Sequence, residues 1–86
     1  MEDDKVAKQF TRDGQRALSQ ARHLILEAER LEAWNPASAR NRLNGAVQIL
    51  DLHGQTDKFR RSAAKPQTAE RDALRAKIAE ARSRLG

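Results

Sequence analysis

Small and apolar residues recur at every seventh position in the first third of the chain. The small residues are Ala7, Gly14, Ala21 and Ala28. A second series interleaves with them at spacings of three and four and consists of Phe10, Ala17, Leu24 and Leu31. Leu18 and Ile25 widen this stripe on one side. The spacing is that of a coiled-coil seam. It predicts one long helix, from about Asp3 to Leu31 or Ala33, against which a second helix packs closely.

A helix break and a new helix start follow directly. Asn35 suits an N-cap, and Pro36 suits the first helical position after it. Trp34 precedes the cap, where a hydrophobic staple is expected. The pattern predicts a second helix from Pro36 to about Leu52, which stops where Gly54 adopts a left-handed conformation.

Two interpretations fit the last third of the chain. In the first, a short basic helix over about 57–64 is ended by Pro66, and Thr68 caps a last helix over about 69–85. In the second, a single helix runs over 56–85 and is kinked at the proline. In both, the last helix has a narrow apolar seam formed by Leu74, Ile78, Ala81 and Leu85.

These elements predict an all-α protein. We expect an antiparallel helical hairpin, extended by a short basic helix and a C-terminal amphipathic helix. Residues 1–65 would form the helical core domain and residues 66–86 the basic C-terminal helix. The chain has 86 residues and no cysteine, so neither a disulfide nor a thiolate metal site can supplement a small core. We therefore expect it to self-associate, most simply as a dimer across the stripe of the first helix.

The net charge of +5 is unevenly distributed. Residues 1–56 contain eight basic and eight acidic residues, whereas residues 57–86 contain nine basic and four acidic residues. Such asymmetry indicates a polyanionic or acidic partner. We expect a small non-enzymatic adaptor or regulator that binds nucleic acid through this last third, mainly through Lys58, Arg61, Lys65, Arg71, Arg75 and Arg82.

An acidic protein surface is the alternative partner. In that case the same basic helix would dock on a protein, and the chain would act as an inhibitor, chaperone or assembly factor without nucleic acid. Composition and charge do not separate the two partners.

The second helix, the turn after it and the short basic helix have helix-turn-helix dimensions. Lys58, Arg61 and Lys65 would share one face of the short helix, and Phe59 would lie on another. The segment Leu43–Phe59 (LNGAVQILDLHGQTDKF) resembles the short helix and turn found late in some phage terminase small subunits. The shared apolar spacing is common in helical proteins, so it assigns no role to any residue.

Residue types that support catalysis are sparse and scattered. The two histidines, His23 and His53, lie far apart in the sequence, and no serine or glycine has the context of a nucleophile or of a phosphate loop. We therefore predict no catalytic residue, metal, cofactor or small-molecule substrate. The acidic start of the chain and the short apolar run Leu24–Leu26 predict neither secretion nor membrane insertion, and a cytoplasmic location is expected.

Overall fold

A computed structural model of the chain describes residues 2–56 and 64–85. Three helices account for almost all of these residues: α1 (Glu2–Leu31), α2 (Pro36–Gln55) and α3 (Ala64–Leu85). No described residue lies in a strand, so the predicted all-α class is confirmed. The predicted short basic helix falls largely outside the described residues.

The buried face of α1 follows alternating spacings of four and three. Its members are Gly14, Leu18, Ala21, Ile25 and Ala28. Three small residues of the seven-residue series, Gly14, Ala21 and Ala28, thus lie on the buried face, and its larger members are Leu18 and Ile25. Ala17, Leu24 and Leu31 are only partly buried, at the edge of this face.

The predicted start of α2 is confirmed. Asn35 is the N-cap, its side-chain oxygen accepts a hydrogen bond from the backbone N–H of Ser38 at 3.3 Å, and Pro36 opens the helix. The predicted staple is wrong, because Trp34 is 73 % exposed. Its expected staple partner, Ala39, is fully buried in the core and therefore does not face the tryptophan.

The predicted end of α2 is also wrong. The helix continues through Gly54 to Gln55, and Thr56 caps its end: the backbone N–H and the hydroxyl of Thr56 both donate to the carbonyl of His53, at 3.3 and 3.0 Å. Gly54 serves close packing instead of a left-handed turn. A Cβ at this position would lie 3.3 Å from Nη1 of Arg71, so the glycine leaves room for the guanidinium group.

The last helix begins earlier than predicted. α3 starts at Ala64 and includes Pro66 and Thr68, so the proline does not end a helix and the threonine is not a cap. The first four N–H groups of a helix have no acceptor within it, so a proline in the first turn sacrifices no helical hydrogen bond. The connection between Thr56 and α3, where a kinked continuous helix was the alternative, lies outside the described residues.

All three helices contribute to one hydrophobic core. Its residues are Leu18, Ala21, Ile25, Ala28, Ala39, Leu43, Ala46, Leu50, Leu74, Ile78 and Ala81. The narrow seam of α3 therefore packs on the other two helices and adds three side chains to their core. The resulting bundle is elongated, with extents of 51 × 16 × 15 Å. None of its described helices combines the length and apolar character needed to cross a bilayer.

Candidate nucleic-acid interface

Arg71, one of the predicted phosphate contacts, lies inside the bundle. It is 9 % exposed, and its Nη1 lies 3.3 Å from Nδ1 of His53, which is 2 % exposed. Because a guanidinium group can only donate, Nδ1 of the histidine accepts this hydrogen bond. The ring is then neutral, with its proton on Nε2.

The opposite side of the His53 ring completes a buried polar relay. Nε2 donates to Oε1 of Gln67 at 3.0 Å, and Nε2 of Gln67 donates to the backbone carbonyl of Thr11 at 3.0 Å. We refer to Thr11, His53, Gln67 and Arg71 as the His53 relay. Its hydrogen bonds join α1, α2 and α3, so Arg71 anchors the last helix and does not present its charge on the surface.

Ion pairs join α1, and Glu32 directly after it, to α3 on one side of the bundle. Arg84 donates from Nε and Nη2 to the two carboxylate oxygens of Glu32, with Nη2–Oε2 at 3.2 Å. This bidentate hydrogen bond lowers the pKa of Glu32 and raises the pKa of Arg84. Arg22 pairs with Glu70 on the same side. Two basic residues are therefore neutralised by acids of the same chain.

Arg75 and Arg82 lie on the other side of α3, next to α2. They line a shallow groove together with Val47, Ile78 and Ala79. Arg75 donates to Asp51 at 3.0 Å, in a pair that is exposed to solvent. Arg82 donates to the side-chain oxygen of Asn44 at 2.9 Å, and this partner carries no charge. The spacing of seven keeps both guanidinium groups on one face of the helix.

The remaining predicted contacts are not placed. Lys58 and Arg61 lie outside the described residues, as does the side chain of Lys65. Of the six predicted phosphate contacts, the structure therefore brings Arg75 and Arg82 together on the surface and buries Arg71.

The chain matches no known protein family. No curated protein and no solved structure matches it either. Any account of the interface therefore depends on the geometry of the described residues.

The residues predicted for helix packing and self-association fall into two groups. Gly14, Ala21 and Ala28 are buried by the chain's own helices. Ala17, Leu24 and Leu31 remain partly exposed beside α2, and a Cβ placed at Gly45 would lie 3.4 Å from Cδ1 of Leu24. The side chains of Ala7 and Phe10 lie outside the described residues.

A basic surface on α1 was not predicted from the sequence. Arg12, Arg16 and Arg30 are all exposed. Counting charges over residues 1–56 gave a balance of zero and so hid how those charges are arranged. Plotting charged residues against the helical repeat could have revealed the surface, because the three arginines share one face of α1.

The two histidines have separate structural roles. His53 belongs to the buried relay, whereas exposed His23 pairs with Glu27 at 2.8 Å, and Glu27 also pairs with Arg42 at 2.9 Å. Among the described residues, no group of three or more His, Cys, Asp or Glu side chains could hold a metal ion.

Proposed function

We propose that the protein is a non-enzymatic helical adaptor or regulator that binds nucleic acid through its basic C-terminal third. The supporting observation is the charge distribution: residues 57–86 contain nine basic and four acidic residues, while the rest of the chain is balanced. A concentrated positive charge attracts a phosphate backbone regardless of base sequence.

The two arginines of the α2–α3 groove are suited to phosphate contacts. Exposed ion pairs such as Arg75–Asp51 contribute only about 0–1 kcal/mol, so a phosphate can replace the carboxylate. The hydrogen bond from Arg82 to Asn44 leaves the positive charge of the arginine without a neutralising acid, because Asn44 is uncharged. With Lys58 and Arg61 between α2 and α3 and Lys65 in the first turn of α3, these residues give five proposed phosphate contacts.

The salt dependence of DNA binding tests this proposal. Five phosphate contacts contribute a slope of roughly −4 to −5 to a plot of log K against log salt concentration. We expect the double variant Arg75→Gln/Arg82→Gln to make the measured slope shallower by about 2. Fluorescence anisotropy with a labelled short duplex gives both slopes.

Absence of binding at low salt, or a slope near zero for the unmodified chain, would contradict the proposal. Light scattering of the purified protein, with absorbance read at the wavelengths of nucleic acid and protein, checks whether nucleic acid accompanies it. An acidic protein in that peak, without nucleic acid, would favour the alternative partner.

We also propose that α1 and α2 form an antiparallel hairpin and that two copies of the chain associate through it. Two observations support the antiparallel order: a Cβ placed at Gly45 of α2 would lie 3.4 Å from Cδ1 of Leu24, and Glu27, later in α1, pairs with Arg42, earlier in α2. The surface proposed for association contains Ala17, Leu24 and Leu31 of α1 and Gly45 and Leu52 of α2.

The surface residues on α1 recur every seven positions, and so do those on α2. A helix of a second copy that packs along this surface requires such a repeat. Leu52 is 62 % exposed and lines a depression together with Ala17. Covering such a leucine would supplement the small core of a chain that has no disulfide.

We expect Leu52→Glu to shift the chain from dimer to monomer, because the dimer would bury an unpaired carboxylate. Light scattering over a range of protein concentrations measures the change. Leu26→Glu is the matched control, since Leu26 is 46 % exposed on the outer face of α1. A monomeric unmodified chain, or equal effects of both variants, would contradict an association through this surface.

A further inference from the structure

We infer that the outer face of α1 is a second phosphate-binding surface, which contacts the same nucleic acid beyond the basic C-terminal third. We define it by Arg12, Arg16, Ser19, His23 and Arg30, all exposed. This inference rests on the proposed function, because it takes nucleic acid as the partner. The inference adds phosphate contacts from residues 1–56, the part of the chain whose total charge is balanced.

The spacing of these residues produces a continuous surface. They follow one another at intervals of four, three, four and seven positions, which keeps them on one side of an α-helix. From Arg12 to Arg30 the surface runs roughly 27 Å along the helix axis, at 1.5 Å per residue. An extended, linear polyanion matches this shape better than a single small anion does.

The three arginines of this surface are available to a partner. Within the described part of the chain, the side chains of Arg12, Arg16 and Arg30 make no hydrogen bond or ion pair. In contrast, Arg22, Arg42 and Arg84 each pair with a glutamate. The outer face of α1 therefore holds guanidinium groups that none of the described acids neutralises.

The acidic side chains of α1 that the structure describes interact mainly with residues outside this surface. Asp13 accepts a hydrogen bond from Gln9, and Glu27 pairs with Arg42 of α2. The charge of Glu29 interacts with Arg84 of α3, since it contributes to the raised pKa of that arginine. Counting partners among the described residues, only His23 of this surface has an acidic one, Glu27.

The chemistry of this surface favours a phosphate backbone over a protein. Protein interfaces have an apolar centre, usually with aromatic anchors. Among the described residues on the outer face of α1, Leu26 is the only large apolar side chain that is exposed. Arginine and serine side chains are common donors to phosphate oxygens, and arginine can bind a phosphate with two parallel hydrogen bonds.

Two triple variants with the same loss of charge test the inference. Arg12→Gln/Arg16→Gln/Arg30→Gln removes the three unpaired guanidinium groups, and Arg22→Gln/Arg42→Gln/Arg84→Gln removes three paired ones. Glutamine has a helix propensity similar to that of arginine, so both variants should keep the helices, which circular dichroism checks. Anisotropy with the labelled duplex is measured from about 50 to 200 mM salt for each.

We expect the first triple variant to make the slope of log K against log salt concentration shallower by roughly 2 to 3. The second should change the slope by less than half of that amount. Equal changes in the two variants would overturn the inference, because net charge alone would then explain binding. An unchanged slope in the first variant, together with a shallower slope in Arg75→Gln/Arg82→Gln, would overturn the inference and leave the proposed function standing. If the unmodified chain binds no duplex, the proposed function fails as well.

Discussion

Replacing Leu43 by alanine should lower the free energy of unfolding by about 2–5 kcal/mol. Leu43 is fully buried in the core shared by the three helices, so the variant loses apolar contact and leaves a cavity between them. A domain of this size is typically stable by only about 4–13 kcal/mol. The substitution should therefore remove a large fraction of the total, and urea unfolding followed by far-ultraviolet circular dichroism measures it.

Leu52→Ala is the matched control, with the same change of side chain in the same helix. Because Leu52 is mostly exposed, its loss from the monomer should cost less than about 1 kcal/mol. The comparison should be made at a protein concentration where the chain is monomeric, since Leu52 belongs to the proposed association surface. Similar losses in the two variants would contradict the described core.

The parts of the fold that could be predicted from the sequence are those set by local interactions. α1 follows from its seven-residue repeat and its helix-forming residues. The cap at Asn35 and the position of Pro36 depend only on neighbouring backbone groups, and both were predicted correctly. The narrow seam of α3 was enough to predict that this helix has an apolar side.

The errors arise where contacts between distant residues override local preferences. α2 continues past Leu52 because His53 is held in the core by Gln67 and Arg71, which lie far along the chain. Trp34 has the sequence position of a staple residue, but its partner position is occupied by an alanine that faces the core. No local pattern contains this information.

The charged surface was only partly predictable for a similar reason. A sum over a segment counts a paired arginine and an unpaired one equally. Arg71 and Arg84 contribute to the positive total of the last third, yet the first is buried and the second is paired with Glu32. Arg12, Arg16 and Arg30 were discounted because acids elsewhere in α1 cancel them in the sum.

Replacing His53 by leucine should lower the free energy of unfolding by about 2–5 kcal/mol. Leucine fills a similar volume but supplies no polar atom, so the buried groups of Arg71 and Gln67 lose the hydrogen bonds that the imidazole provides. The cost of leaving a buried guanidinium group with fewer partners should exceed any gain from an added apolar side chain. Urea unfolding measures the loss.

Two further variants separate the relay from a general effect of losing a histidine. His53→Asn keeps an oxygen that can accept from Arg71, so it should retain part of the lost stability. His23→Leu changes a histidine that is exposed and pairs only with Glu27, and it should cost less than about 1 kcal/mol. Ring-nitrogen NMR signals of the unmodified chain at neutral pH should show His53 as the neutral form with its proton on Nε2. A doubly protonated ring would contradict the relay, because Arg71 would then have no acceptor at Nδ1. Equal losses for His53→Leu and His23→Leu would also contradict it, because His53 would then not hold α3 against α2.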